Sequence, residues 1–404
     1  MLVELDTFPL CLKTNGDGTR LLVGFVDGSI RFYDTTGEES FEEIWKFQTK
    51  SSIRAVEIDE NSGRAYAVTK NRALCVFDLE SGKRTRCILK CHSSVPSAIC
   101  ALPATALKSQ QLATADESGE VKTWNLDAEE PMVRKYNEQE EEINDLKVDS
   151  KSNLLAASSD GTLGAYDLRK AKFKVRSELM HSELFSVCPT VRSVYVGAED
   201  SHVEVFNLSE YGNLLERIES GFEMGVNGVV ELRPGLLALS SQGSNKLRLL
   251  NVMPSKRLGY AGSHGDEKNE DDGIDAMTVS RQFDVIPSKK RRSLQISGDK
   301  STLYTMISMN QSIQKWDMRP ITNKIPILRA QDAKKKKNKK TEGFFDGMVD
   351  KNDENSDSDD EPKSKKRRRD DSDDDSELEG EDEEEEEDEE VEEEEEEEED
   401  EDSD

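Results

Sequence analysis

Long hydrophobic runs are missing from this 404-residue chain, and nothing approaches the ~18 consecutive apolar residues of a membrane-crossing helix. The amino terminus, MLVELDTFPL, has neither a basic leading segment nor an extended apolar core, so no secretory leader is expected. A soluble intracellular protein with no membrane partner is the expectation. Cysteine is scarce, at positions 11, 75, 87, 91, 100 and 188. Cys87 and Cys91 are the one close pair, and no second pair or nearby pair of histidines completes a tetrahedral zinc set. Most of the six fall in apolar runs, where a reduced thiol behaves as a small hydrophobe. Sustained 3.6-residue periodicity is also lacking before residue 330, which argues against a helical solenoid. No Walker-type loop, dinucleotide fingerprint or nucleophile elbow occurs, so no cofactor and no enzymatic activity is expected.

What is present is a repeated β-hairpin. LLAASSDGTLGAYDLRK, from Leu154 to Lys170, holds two alternating apolar runs hinged at Asp160-Gly161. An Asp-Gly pair between such runs is a hairpin signal, because glycine accepts the positive φ of a tight turn. One hairpin is marginal in water and must bury its apolar face against something else. The same pattern returns with an aromatic or Leu followed by Asp or Asn at Asp34, Asp78, Asn125, Asp167, Asn207, Asn251 and Asp317. The intervals are 44, 47, 42, 40, 44 and 66 residues, of which five lie near the ~40–45 residue period of WD-type repeats. The long interval carries insertions, SHGDEKNEDDG (Ser263 to Gly273) and PSKKRR (Pro287 to Arg292), both expected to be solvated.

Each repeat has a further apolar run upstream of its hairpin, as in SIRAVEID from Ser52 and INDLKVD from Ile143. Segments such as EIWKFQT from Glu43 supply a fourth, outer strand. Four antiparallel strands per unit, seven times over, make an all-β, seven-bladed WD-type β-propeller over residues 1–330. Two segments compete to close the ring, LVEL (Leu2 to Leu5) and KIPILRA from Lys324, and the sequence does not choose between them.

Composition changes abruptly after Ala333. The 71 residues that follow carry 13 Lys+Arg and 38 Asp+Glu, a net of −25 out of −31 for the chain. So charged and apolar-poor a segment cannot offset the entropy of ordering, so residues 331–404 are expected to be a disordered basic-then-acidic tail. Two cationic clusters lie in it, KKKKNKK (Lys334 to Lys340) and the group Lys363, Lys365, Lys366, Arg367, Arg368 and Arg369. Such clusters suit an import receptor or RNA, whereas the acidic run attracts basic proteins in a salt-sensitive way. Phe344 and Phe345, in GFFDGM, are apolar in a charged setting and form a candidate docking motif. Ser356, Ser358, Ser372 and Ser376 each have an acid three positions on, the pattern of acidophilic-kinase sites.

The four histidines are where chemistry would be sought. His92, His181 and His264 each precede the first strand of a repeat, where WD-type units carry a Gly-His signature. Asp27, Asp160 and Asp200 occupy the turn position six residues before the repeat's aromatic, with Asn71 and Asn310 as amide counterparts. His202 falls in the fifth turn and is expected to be exposed. A catalytic His–Asp relay would also need a nucleophile and oxyanion donors converging on it, and nothing in the sequence puts them there. The histidines and aspartates are therefore expected to be structural links within blades.

The segments DGTLGAYDLRKAKFKVRSE, LNVMPSKRLGYAGSHGDE and a late GFFDGM, in that order within such a tail, resemble the WD repeat-containing protein 55 family and its yeast-type relatives. The resemblance covers the ring and the tail's FF motif, and in such units the loop histidine bonds to the turn aspartate. It implies a non-catalytic scaffold in the nucleus and nucleolus, with a cytoplasmic pool, serving rRNA synthesis and processing among ribosome-assembly proteins. The long acidic terminus departs from the family. Two other binding roles fit the residues. YDLR (Tyr166 to Arg169) and WDMR (Trp316 to Arg319) resemble the motif of substrate receptors of cullin–RING ubiquitin ligases, with Arg169 and Arg319 as adaptor contacts. The acidic tail also suits a histone- or chromatin-binding adaptor.

Overall fold

The structure, a computed structural model, describes residues 1–37, 40–103, 111–265, 273–280 and 301–325. The tail expected over 331–404, its boundary at 330 and the insertion at 287–292 lie outside the described residues, as do residues 266–272 of the first insertion. Among the described residues the chain forms 28 strands and one short helix, Arg319–Lys324, and no helix is long and apolar enough to cross a membrane.

The hairpin in LLAASSDGTLGAYDLRK forms as its pattern predicts. Asn153–Ser158 pairs with Leu163–Asp167, placing Leu154 opposite Tyr166. Gly161 takes φ +77° in the turn, and the Asp160 carboxylate accepts the Thr162 backbone N–H at 2.9 Å and its hydroxyl at 2.6 Å. Both strands are buried along their whole length. The outer strand Lys172–Arg176 alternates instead, because it meets neighbours on one face and solvent on the other.

Seven such units are arranged as four-stranded antiparallel sheets. Their first strands are Pro9–Thr14, Ile53–Asp59, Pro96–Ala101, Ile143–Val148, Leu184–Pro189, Gly228–Arg233 and Ala276–Val279, which begin blades 1 to 7 in that order. Each first strand packs on the first strands of both neighbours, and that of blade 7 packs on that of blade 1. The chain is a closed seven-bladed β-propeller.

Seven apolar clusters fill the seven seams between blades. Between blades 1 and 2, for example, Leu22, Phe32 and Trp45 pack on Val56, Ala67 and Phe77. The seam that shuts the ring joins Leu21, Val23 and Phe25 to Tyr304, Met306 and Ile313. Here the Tyr304 hydroxyl donates to the Gly18 carbonyl at 2.9 Å and lies 2.6 Å from the Thr35 hydroxyl.

The amino terminus closes the circle. Leu2–Glu4 forms the outermost strand of blade 7, with Val3 opposite Ile313 on Ser312–Asp317. Leu5 N donates to Gln311 O at 2.7 Å and Lys315 N to Met1 O at 2.8 Å, continuing the ladder on either side. The rival KIPILRA does not supply this strand: Lys324 ends the helix and Ile325 rests against the seam of blades 6 and 7.

The alternation of an antiparallel ladder makes Val3 and Ile313 a hydrogen-bonded pair, flanked by the bonded pairs at Leu5 and Met1. Val3→Pro, which removes that donor, is expected to destabilise the ring by about 1–3 kcal/mol, whereas Val3→Ala has a smaller effect. Denaturant unfolding of the full chain checks this, and equal effects of the two substitutions would show that the ring closes some other way.

Candidate functional site

His92 lies in the loop before blade 3 and is buried, with Nε2 2.6 Å from the Thr114 hydroxyl and Nδ1 3.2 Å from the Asp116 carboxylate. The Trp124 indole donates to the same Thr114 oxygen at 2.7 Å. Asp116, fully buried, also accepts from Ser118 N at 3.0 Å, the Ser118 hydroxyl at 2.7 Å and Glu120 N at 3.1 Å. Burial works against its ionisation, but the bonds from His92 and Ser118 win and bring its carboxyl down to about 2. One network thus ties the entering loop, the second and third strands and their turn together.

Blade 7 repeats the arrangement with hydroxyls. His264 Nδ1 lies 2.7 Å from the Thr305 hydroxyl and Nε2 3.0 Å from the Ser312 hydroxyl, while the Trp316 indole donates to Thr305 at 2.8 Å. His264 is therefore buried although the insertion around it was expected to be solvated. Burial without a carboxylate lowers its pKa to about 4, so it is neutral near pH 7. Blade 4 uses an amide: the Gln139 side chain donates to Thr162 O at 3.0 Å and accepts from the Tyr166 hydroxyl at 3.2 Å.

The remaining candidates stand apart from these networks. His181 is exposed. Exposed Asp27 accepts from Ser29 N at 2.7 Å. Asp200 is paired with Arg217, and half-buried His202 sits 2.9 Å from the Asp200 carbonyl. Arg169 and Arg319 each turn back on the aspartate two residues earlier, at 3.6 Å from Asp167 and 2.9 Å from Asp317. Phe344, Phe345, Ser356, Ser358, Ser372, Ser376 and the basic group from Lys363 to Arg369 lie outside the described residues.

Sequence reasoning missed Asp116, which sits eight residues before Trp124 because it ends the second strand. The turn has the same length as those of blades 1 and 4, and Ser118 holds the position that Asp27 and Asp160 hold there. The signal that finds the networks is a loop histidine together with a third-strand tryptophan. Blades 3 and 7 have both, whereas the blade after His181 carries Phe206, which has no indole N–H.

His92, Asp116 and Glu120 also come close enough together for a metal ion. Lys122 lies 2.5 Å from the Glu120 carboxylate, and Lys135 is paired with it too. Burial opposes ionisation of Glu120, but these two ammonium groups hold its carboxyl below the usual range. They neutralise the carboxylate that a metal cation would need. The cysteines are free, and the closest pair in space is Cys75 with Cys87, facing each other across two strands with sulfurs 3.8 Å apart. In the first strands near the axis, Lys13 pairs with Glu57 at 2.8 Å and Lys147 with Asp145 at 2.5 Å.

The antiparallel order puts the loop entering each blade and the turn between its middle strands at one end of the ring, as the pairing of Pro9 with Phe25 shows. That face is divided by charge. Segments 49–52, 70–72 and 90–95 bring Lys50, Lys70, Arg72 and Lys90 and contain no Asp or Glu. Segments 117–120, 137–142, 159–162, 177–183, 199–201 and 220–227 contain no Lys or Arg. Exposed Glu117, Glu138, Glu140, Glu141, Glu199 and Glu223 stand on them. Arg54 marks the boundary, 3.1 Å from Glu117 and 3.5 Å from Glu142. Burial and the charges of Glu117 and Glu183 raise the Glu142 carboxyl above the ordinary range, against the pull of Arg54.

Ring, repeat period and the His–Thr–Trp links together define a WD-type propeller, a class whose members are generally non-catalytic scaffolds. No family model matches the chain. Among curated proteins it is similar to WD repeat-containing protein 55 of Mus musculus, 28% identical over 255 residues, or 62% of this chain and 64% of that protein. The Homo sapiens protein of the same name is 27% identical over 62% of this chain and 65% of its own length. WD repeat-containing protein JIP5 of Laccaria bicolor is 28% identical over 54% of this chain and 57% of its own length. The chain thus spans less than two thirds of the curated relatives it matches. These relatives agree with the resemblance inferred from the three linked sequence segments.

Thr114→Val leaves both the His92 ring and the Trp124 N–H without the hydroxyl they share, and a loss of about 2–4 kcal/mol is expected by denaturant unfolding. An unchanged midpoint would mean that the network does not hold the blade. His264 has a folded pKa near 4, below the ~6.5 of an unfolded histidine, so the unfolded chain binds the extra proton between those values. The stability it contributes is complete above about pH 6.5 and is lost as pH falls toward 4. Unfolding midpoints of wild type and His264→Gln from pH 7.5 to 4.5 should converge, and parallel curves would show that His264 is not held neutral.

Proposed function

We propose that the chain is a non-catalytic scaffold of nucleolar ribosome assembly, binding proteins through its propeller and its charged tail and serving rRNA synthesis or processing. The similarity to WD repeat-containing protein 55 over 62% of the chain carries this reading. It is supported by a closed ring with a charge-divided loop face, and by a tail sequence that pairs import-type basic clusters with a polyanionic run. The His–Asp contact of blade 3 is buried and fully engaged with its own blade, which suits a clamp rather than a reaction centre.

Replacing Lys363, Lys365, Lys366, Arg367, Arg368 and Arg369 by glutamine in the full chain is expected to move the protein from nucleoli toward the cytoplasm, read by fluorescence microscopy. Purification of the full chain at two salt concentrations, with and without RNase, is expected to recover ribosome-assembly proteins. Recovery of a cullin-ligase adaptor or of histones, without those proteins, would replace the proposal with one of the other binding roles.

A further inference from the structure

The acidic sector of the loop face also carries apolar side chains. Leu179, in the loop entering blade 5, is 74% exposed, and Met224, in the loop entering blade 6, is 57% exposed. Single exposed apolar residues are ordinary on protein surfaces. These two differ in being held from beneath. Met224 covers the turn of its own blade so closely that a Cβ on Gly243 would stand 2.6 Å from its sulfur. A Cβ on Gly161 would stand 3.4 Å from a Leu179 methyl, so that side chain lies over the turn of the preceding blade. Both thus lie over turns, among segments whose own sequence holds Glu140, Glu199 and Glu223 and no Lys or Arg, although Arg176 and Arg217 reach in from the outer strands.

The geometry points to a docking surface on blades 4 to 6 for a lysine- and arginine-rich partner segment that interleaves apolar residues with its charges. Arg176 reaches Glu140 at 3.9 Å from the outer strand of blade 4, and the excess of carboxylates over such cations steers a cationic segment to the face, where Leu179 and Met224 receive its apolar side chains. Such a segment gains where a purely basic one would not, because the apolar contacts survive the salt that screens the charges. An RNA strand is repelled from this sector by its phosphates. The inference rests on the propeller as a protein-binding scaffold, though not on a nucleolar address, so a failed binding assay and a failed localisation experiment are separate results.

The test uses the full chain and two fluorescent peptides of equal charge, one alternating lysine with leucine at helical spacing and one with glycine in place of leucine. The acidic tail is common to every variant, so the reading is the difference between variants in anisotropy titrations. Neutralising Glu140, Glu199 and Glu223 to glutamine is expected to weaken the leucine peptide about tenfold. Leu179→Ser with Met224→Ser is expected to weaken it by a similar factor, about tenfold, while leaving the glycine peptide unchanged. Lys50→Gln with Lys70→Gln, on the opposite sector, should change neither. Unchanged affinity in both test variants overturns the proposal. So does a concentration-dependent dimer, measured by light scattering, that the same substitutions dissolve, because the face would then be serving a second copy of the chain.

Discussion

Everything else in the ring depends on the burial of apolar surface between neighbouring blades. A four-stranded sheet of this size has two faces to cover, and among the described residues one six-residue helix cannot cover seven of them, so each blade becomes stable only against the next. The seam where blade 7 meets blade 1 is the one that must join the two ends of the chain. Tyr304, Met306 and Ile313 from the last blade meet Leu21, Val23 and Phe25 from the first, and the strand Leu2–Glu4 adds a backbone ladder to the same joint. Closure converts seven marginal units into one cooperative body and leaves only outer strands at the rim.

The loop face follows from that arrangement. Because successive strands are antiparallel and every blade begins at the axis, the entering loops and middle turns of all seven blades fall on one end. The seams do not constrain the outward side chains of those loops. Evolution can therefore write charge on them without disturbing the core, and the contrast between Lys50, Lys70 and Lys90 on one side and Glu140, Glu199 and Glu223 on the other is such writing. The internal networks keep the loops still: His92 and Gln139 fasten the loops entering blades 3 and 4, and His264 the one entering blade 7. A surface whose charges are carried by fastened loops loses little entropy on binding, which suits a scaffold.

Much of the ring was legible from the chain alone. The interval between Asp34, Asp78, Asn125, Asp167 and Asn207 gave the blades, and the upstream apolar runs fell on first strands, as with Ile53–Asp59 and Ile143–Val148. The candidate site was legible in part. His92 and His264 were marked by their place before a first strand, but Asp116 was hidden because it ends the second strand, two residues before the turn position of Asp27 and Asp160. His181 carried the same local signal as the other two and is nonetheless exposed; its blade has Val196 and Phe206 where theirs have the hydroxyls of Thr114 and Thr305 and the indoles of Trp124 and Trp316.

The amino-acid order by itself determined the repeat, the strand alternation and the concentration of charge after residue 333, since each depends only on neighbours along the chain. Three features were decided by tertiary structure. Leu2–Glu4 closes the ring, because a closing strand must reach the edge at Ile313 and the start of the chain pairs with it there. His264 is buried in a segment rich in charge, because two hydroxyls from different strands converge on its ring. The separation of charge on the loop face joins segments as far apart as Glu117 and Glu223, which the circle brings to one end and the linear order scatters.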